Sequence, residues 1–435
     1  MFQKNIYRYI QTPEIKNAII NLMFSISSFL LIRSFAVQIG LDGFGKYNYF
    51  ATTLVALVSV LDFGVSNTII TKIFKLQNSK SAYSIAFIYS FFQLVVLIIT
   101  LLVWRLFDPF IKHYILFDAI ILLIVIYYNK NAWNIFVSYF IKYKGLKYLF
   151  RLAIIYCFLS LFLNIYWPVQ FNPLYVLLLV LGLIYLVPVY IEGALHNFEI
   201  RQGFSLLINT IKSHKNQLII LFMATLISSF CIWFERFFLV NSFSFSMQAV
   251  FGLGIISLNI LSVFLNGALR IVWSNDGKVN MLLQIGKSLK RYSIVIFLSY
   301  LLTAIISGFI ILILFNVELS IPNFLFFYLI LMSCPLLVLS QYHTIQLYNL
   351  NKYSSVANVV IFSSIINICF LVLYYFTSTE LTVLIDFAIK GVITLVCSLT
   401  IFNLVYNQKT IFTNALILFS IFNIIFVKSL LCLFV

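Results

Sequence analysis

Apolar runs of about twenty residues recur along nearly the whole chain, and this feature leaves the fewest folds open. Each is long enough to cross a bilayer core as a helix, which takes about 20 residues at 1.5 Å apiece. The sequence is 63% hydrophobic and only 9% charged, against about 25% charged for a soluble domain. The chain is therefore expected to be an all-α integral membrane protein throughout. Spans are predicted near 17–39, 48–70, 82–104, 115–138, 149–167 and 173–195, then near 216–240, 247–272, 291–315, 322–345, 355–377 and 382–405. A last apolar stretch, 411–434, is either a thirteenth span or an interfacial tail.

The net charge of +16 does not point to nucleic acid, because no soluble domain carries a basic face. The cations mark topology instead. Alternate connections hold Lys4, Arg8 and Lys16; Lys72, Lys75 and Lys80; Lys142, Lys144, Lys147 and Arg151; Arg201, Lys212 and Lys215; Lys278, Lys287, Lys290 and Arg291; then Lys352 and Lys409. These are 19 of the 28 basic residues, whereas the opposite side holds Lys46, Arg105 and Lys112. The positive-inside rule then makes the first set cytoplasmic, with a cytoplasmic amino terminus. The opening MFQKNIYRYIQTPEIK is polar and basic and reads as a lead-in to the first span, not as a cleavable signal.

The longest connection, between spans six and seven, contains FSLLINTIKSHK. Phe204, Leu207, Ile208 and Ile211 fall at i, i+3, i+4 and i+7, with Lys212 and Lys215 off the stripe. That spacing predicts an amphipathic helix on the inner interface. It divides the chain into an amino-terminal six-helix half (1–200), a linker (201–215), a second six-helix half (216–405) and the apolar tail (406–435). SVLDFG at 59–64 and SVFLNG at 262–267 occupy equivalent places in the two halves, as in transporters built from repeats about a central site.

Ionisable residues within predicted spans are few: Arg33, Asp62, Lys130, Glu235, Arg236, Asp386 and Lys390. Each costs about 2.5–3.5 kcal/mol at mid-bilayer, so each is expected to face the bundle interior or water. Asp62 falls about 4–5 Å to the cytoplasmic side of its span centre and Arg33 about 7–8 Å to the outer side of its own, too far apart to pair directly. Asp62 is then either a carboxylate that is neutral, hydrated or matched to a moving cation, or a packing device bonded to nearby hydroxyls beside Gly64. Glu235 and Arg236 diverge by about 100° on one helix, so one is expected to face inward and the other to snorkel. Asp386 and Lys390 stand at i, i+4 and can pair within their helix. Lys130, in YNKNAWN, reads as a snorkelling lysine, and Pro188 and Pro335 should bend spans six and ten.

Catalytic machinery is missing from the pattern. GKS at 286–288 resembles the end of a phosphate loop, but Met281 stands where the first glycine is needed. No metal-ligand spacing occurs, the six cysteines lie apart in apolar segments, and the outer loops are too short for a catalytic site. A transporter without its own ATPase and without a cofactor is expected, rather than an enzyme.

The stretch from Asn21 to Ile70 adds a specific likeness. Gly40, Asp42, Phe44, Gly45 and Tyr47 follow the first helix, and Asp62 and Gly64 lie in the second. This pattern resembles polysaccharide flippases of the Wzx type, in the multidrug/oligosaccharidyl-lipid/polysaccharide (MOP) exporter superfamily. Val37 stands where many members carry an arginine, and Arg33 lies one turn earlier. The resemblance implies two six-helix bundles of MOP/MATE-like arrangement in a bacterial inner membrane. It implies alternating-access transfer of an undecaprenyl-diphosphate-linked oligosaccharide, an O-antigen or other surface-polysaccharide unit, in concert with other polysaccharide assembly proteins. Arg33, Arg236 and Lys390 are the candidates to meet the diphosphate. Asp62, Glu235 and Asp386 are the candidate coupling or packing carboxylates, with H+ or Na+ as the coupling ion. A cation-coupled small-molecule or multidrug exporter of the same superfamily is the alternative.

Overall fold

The computed structural model describes residues 13–62, 65–69, 74, 78–107, 116–168, 170–196, 200–242, 245–246, 248–253 and 353–377. Every regular element among them is helical. They fall into two compact units, one running to Ser229 and the other holding 230–253 and 353–377.

Helix α1 (Pro13–Asp62) is 50 residues long, bent at Gly40 into arms 13–39 and 41–62. At 1.5 Å per residue its apolar part, Ile19–Asp62, is about twice as long as a hydrocarbon core is thick, so it supplies two crossings. Gly40 has φ 73°, a backbone region that residues with a Cβ rarely occupy. The predicted outer loop after the first span therefore shrinks to one residue. Its aromatic motif becomes the first turns of the second arm, where Tyr47 meets Phe35 edge-on at 4.9 Å and stacks with Phe44 at 6.1 Å. An exposed Asp42–Lys46 pair, 2.9 Å apart at i, i+4, steadies the same turns.

The second arm is described to Asp62, and within the predicted 48–70 span the short helix α2 (Val65–Thr68) takes up again at Val65. Helix α3 (Ser79–Phe107) is a single long crossing. The fourth span is helical from 116 to 143, but in three pieces: α4 (Leu116–Tyr127), a π-helical turn (Tyr128–Ala132) and α5 (Trp133–Tyr143). The π turn coincides with the polar YNKNA run. Wide turns of this kind occur often at functional sites.

Helix α6 (Leu146–Ile165) packs along the first arm of α1. Its buried residues Leu149, Ala153, Tyr156, Ser160 and Leu163 match a buried stripe of Ile20, Phe24, Ser27, Leu31 and Ser34. Small residues on both stripes let two backbones approach, the usual means of association where lipid removes the hydrophobic drive. The sixth span breaks where proline predicts. Helix α7 (Pro173–Tyr185) gives way to α8 (Val187–His196) just before Pro188, which has no N–H to continue the ladder.

The amphipathic linker is helix α9 (Ile200–Ser213), packed on α3. Its faces differ from the sequence expectation. Gly203, Leu207 and Thr210 are buried, while Phe204 and Ile211 point outward. Gly203 decides this, since a Cβ there would lie 2.7 Å from the Ser84 carbonyl oxygen. Only glycine lets α9 sit this close to α3, which turns Leu207 inward and leaves the remaining apolar residues to face lipid. Helix α10 (Lys215–Ser242) is the seventh span and contains the boundary between the two units. Helix α11 (Tyr353–Thr377) matches the predicted eleventh span. The remaining predicted spans and the apolar tail lie outside the described residues.

Candidate functional site

Asp62 is the last described residue of the second arm of α1, and α2 resumes at Val65. Its carboxylate oxygen Oδ1 accepts from Ser66 Oγ at 2.5 Å and from Tyr89 OH at 2.6 Å. Tyr89 OH also lies 3.0 Å from the Asp62 carbonyl. One turn away, Gln93 Nε2 donates to the Val58 carbonyl at 3.4 Å, and Tyr127 OH donates to Gln93 Oε1 at 3.0 Å. The column ties the second arm of α1 to α3 and α4. The sequence left Asp62 without an obvious partner; the structure surrounds it with hydroxyls.

We expect Asp62→Asn to fold, because an amide oxygen can still accept from both Ser66 and Tyr89. Transport should fall by more than the yield of folded protein. Measuring transport per folded molecule in vesicles checks this, and a proportional loss of both would make Asp62 a packing residue.

Arg33 is half-buried on the first arm of α1. Its Nη1 donates to Asn164 Oδ1 at 2.6 Å, an oxygen that Ser34 Oγ also meets at 3.0 Å. Asn164 is a neutral partner near the carboxyl end of α6, so this bond orients the guanidinium without cancelling its charge. The carbonyl end of the α6 dipole suits a cation there.

A second polar cluster escaped the sequence reading. Glu192, on α8, is only 3% exposed and pairs with Lys144 Nζ at 2.9 Å. Tyr139 OH lies 3.3 Å from Glu192 Oε1 and 2.9 Å from Ser79 Oγ. Nearby, Tyr83 OH donates to the Val189 carbonyl at 2.6 Å. Lys142 and Tyr143 both donate to the Phe74 carbonyl. Two lysines expected in a solvated loop are thus drawn back onto the bundle. The available signal was an acid just inside a predicted span end, opposite a basic connection.

Glu235 and Arg236 lie on α10 in the other unit and are both buried, at 4% and 6% exposure. The expectation that one of them snorkels fails, because packing covers both. The Arg236 guanidinium stands 4.0 Å from the centre of the Phe251 ring. Its Nε and Nη1 are buried and lack a hydrogen-bond partner among the described residues. The ring supplies a π-face for the cation but accepts no directional bond from these two N–H groups. Aromatic residues line the same helix, with Trp233 stacked on Phe237 at 5.2 Å and Phe230 on Phe234 at 6.1 Å.

Lys130 is part of the π turn. Asp386, Lys390, Pro335 and the SVFLNG echo lie outside the described residues.

Comparison with solved structures identifies the fold. A MOP superfamily transporter from Pyrococcus furiosus Vc1, described as having a binding pocket of reversed polarity, aligns with TM-score 0.59 and 12% identity over 96% of each chain. An inward-facing multidrug resistance MATE family transporter of the same superfamily aligns with TM-score 0.58 and 12% identity, over 96% of this chain and 99% of its own. A MATE protein in complex with MaL6 gives TM-score 0.57 and 12% identity, over 96% and 97%. No family model and no curated protein sequence matches the chain. The protein is an all-helical, multi-pass membrane protein with the fold of the MOP superfamily transporters.

Proposed function

We propose that this chain is a flippase that moves an undecaprenyl-diphosphate-linked oligosaccharide across the bacterial cytoplasmic membrane by alternating access, its amino terminus cytoplasmic. The observation that carries the reading is Arg236, a buried guanidinium with two N–H groups unused by the described residues. A cation kept in that state within a bilayer is costly unless it serves a ligand. A diphosphate fits, because phosphate oxygens accept paired N–H bonds from one arginine. Trp233 and the phenylalanines beside it offer flat apolar faces of the kind on which sugar rings stack. Arg33, held by Asn164, is a second cation for the headgroup, and Lys390 a third.

The Wzx-like pattern from Gly40 to Gly64 supports the same substrate class. Deleting the gene should abolish surface polysaccharide and leave lipid-linked repeat units facing the cytoplasm. Normal polymer display in the deletion strain would exclude the reading.

A second reading, a small-molecule exporter coupled to H+ or Na+, is favoured by the half-buried carboxylate Asp62, the buried Glu235 and the likeness to a multidrug MATE transporter. Drug sensitivity with intact polysaccharide on deletion would select it.

A further inference from the structure

The first arm of α1 and helix α6 run side by side in the same direction. Residues around Lys16 face those around Lys147, Ser28 meets Tyr156, and Arg33 meets Asn164. The Lys16 end of α1 therefore lies beside the start of α6, and a cleft of about 360 Å³ opens there. Lys16, Lys147 and Arg151 line it together with Ile19, Ile20 and Phe150, and none of the lining side chains among the described residues is acidic.

Three features make the cleft favour an anion. Lys147 and Arg151 stand at i, i+4 on α6, a like-charge spacing that destabilises a helix unless something negative lies between. The start of α6 adds its partial positive charge to the three formal ones. Gly145, which precedes α6 with φ 79°, brings no side chain to cap the first-turn N–H groups. The apolar half of the lining asks for more than a free ion. Phe150 is 43% exposed at the lip, and Ile19 is half-exposed beside it. A phosphate with acyl chains satisfies both halves at once, as basic pockets between membrane helices do for anionic lipids.

We propose that this cleft seats the headgroup phosphate of an anionic glycerophospholipid from the leaflet on the amino-terminal side. The site lies at the start of α6, at the opposite end of that helix from Asn164 and Arg33, and it does not depend on what the protein transports. The lipid bridges α1 and α6 beside the start of α6 and offsets the charge of Lys16, Lys147 and Arg151.

The test uses the full-length protein in neutral detergent, with phosphatidylglycerol or phosphatidylcholine added as mixed micelles. Retained lipid is read by native mass spectrometry, and the unfolding midpoint by a thermal scan. Phosphatidylglycerol should be retained and should raise the midpoint, while phosphatidylcholine at the same concentration does neither. The combined substitution Lys16→Gln, Lys147→Gln and Arg151→Gln should weaken retention by at least about tenfold, since each basic residue near an anionic lipid contributes several-fold. Its midpoint without lipid should match wild type or lie slightly above it, because all three side chains are exposed and the like-charge pair on α6 is gone. The charge-preserving pair Lys16→Arg and Lys147→Arg should keep the lipid, and separates loss of charge from loss of fold. Equal retention of the two lipids, undiminished phosphatidylglycerol binding by the neutral variant, or equal protection by inorganic phosphate would each overturn the proposal. So would binding of undecaprenyl diphosphate alone.

Discussion

If the proposed flippase function holds, Arg236→Met should leave a folded protein that moves lipid-linked oligosaccharide more than about a hundredfold slower than wild type. Two charge-assisted hydrogen bonds to a diphosphate are worth about 1.5–3 kcal/mol each, and methionine supplies neither. Stability should move in the other direction or hardly at all. The arginine is buried with two N–H groups unsatisfied by the described residues, and an apolar side chain of similar length removes that cost. Methionine also keeps a favourable contact with Phe251.

Glu235 is buried beside it in sequence, so the substitution is best repeated in a Glu235→Gln background, where no carboxylate is left behind. Arg236→Lys should retain part of the activity, because a lysine keeps the charge but not the paired geometry. Transport in reconstituted vesicles and thermal unfolding of the same preparation decide the matter. A large drop in the midpoint, with normal transport per folded molecule, would assign Arg236 to structure.

Lys144→Met is expected to be the most damaging of the substitutions around Glu192. It strands a carboxylate that is 3% exposed, and removing one partner of a buried pair costs about 3–5 kcal/mol. The Lys144 side chain is 32% exposed, so water reaches the pair and the loss should fall at the low end of that range. Glu192→Gln should cost less, because the freed lysine can turn to solvent while Tyr139 still meets the amide. Combining Lys144→Met with Glu192→Met should recover most of the loss, since two apolar groups then meet where two charges did. Unfolding midpoints of wild type, Lys144→Met, Glu192→Met and the double variant form a double-mutant cycle. Equal losses from the two single substitutions, adding in the double, would show that the pair is not coupled.

Much of the fold was legible because lipid imposes local rules. A run of about twenty apolar residues must become a helix to satisfy its own backbone. The described helices follow those runs closely, from α3 to α11. Pro188 broke its helix where a missing N–H must, and Gly40 turned the chain at the end of the first predicted span. The linker helix was legible as an element but not in its orientation. Its apolar stripe was read as one lipid-facing surface, and the close approach of Gly203 to α3 turned Leu207 inward.

The sequence by itself determined that this is a multi-pass helical membrane protein, and it picked out the ionisable residues Arg33, Asp62, Glu235 and Arg236. Those conclusions rest on run length and residue cost, both of which are properties of short stretches. Which groups meet was decided only by the tertiary structure: Asp62 with Tyr89, Arg33 with Asn164, and Glu192 with Lys144. The physical reason is that a helix apolar on nearly every side carries no periodic mark of its packing face. The buried stripe of α1 alternates serines with leucine and phenylalanine, so hydropathy could not reveal it. Close backbone approach and interhelical hydrogen bonds select the partners, and these depend on residues far apart in the chain.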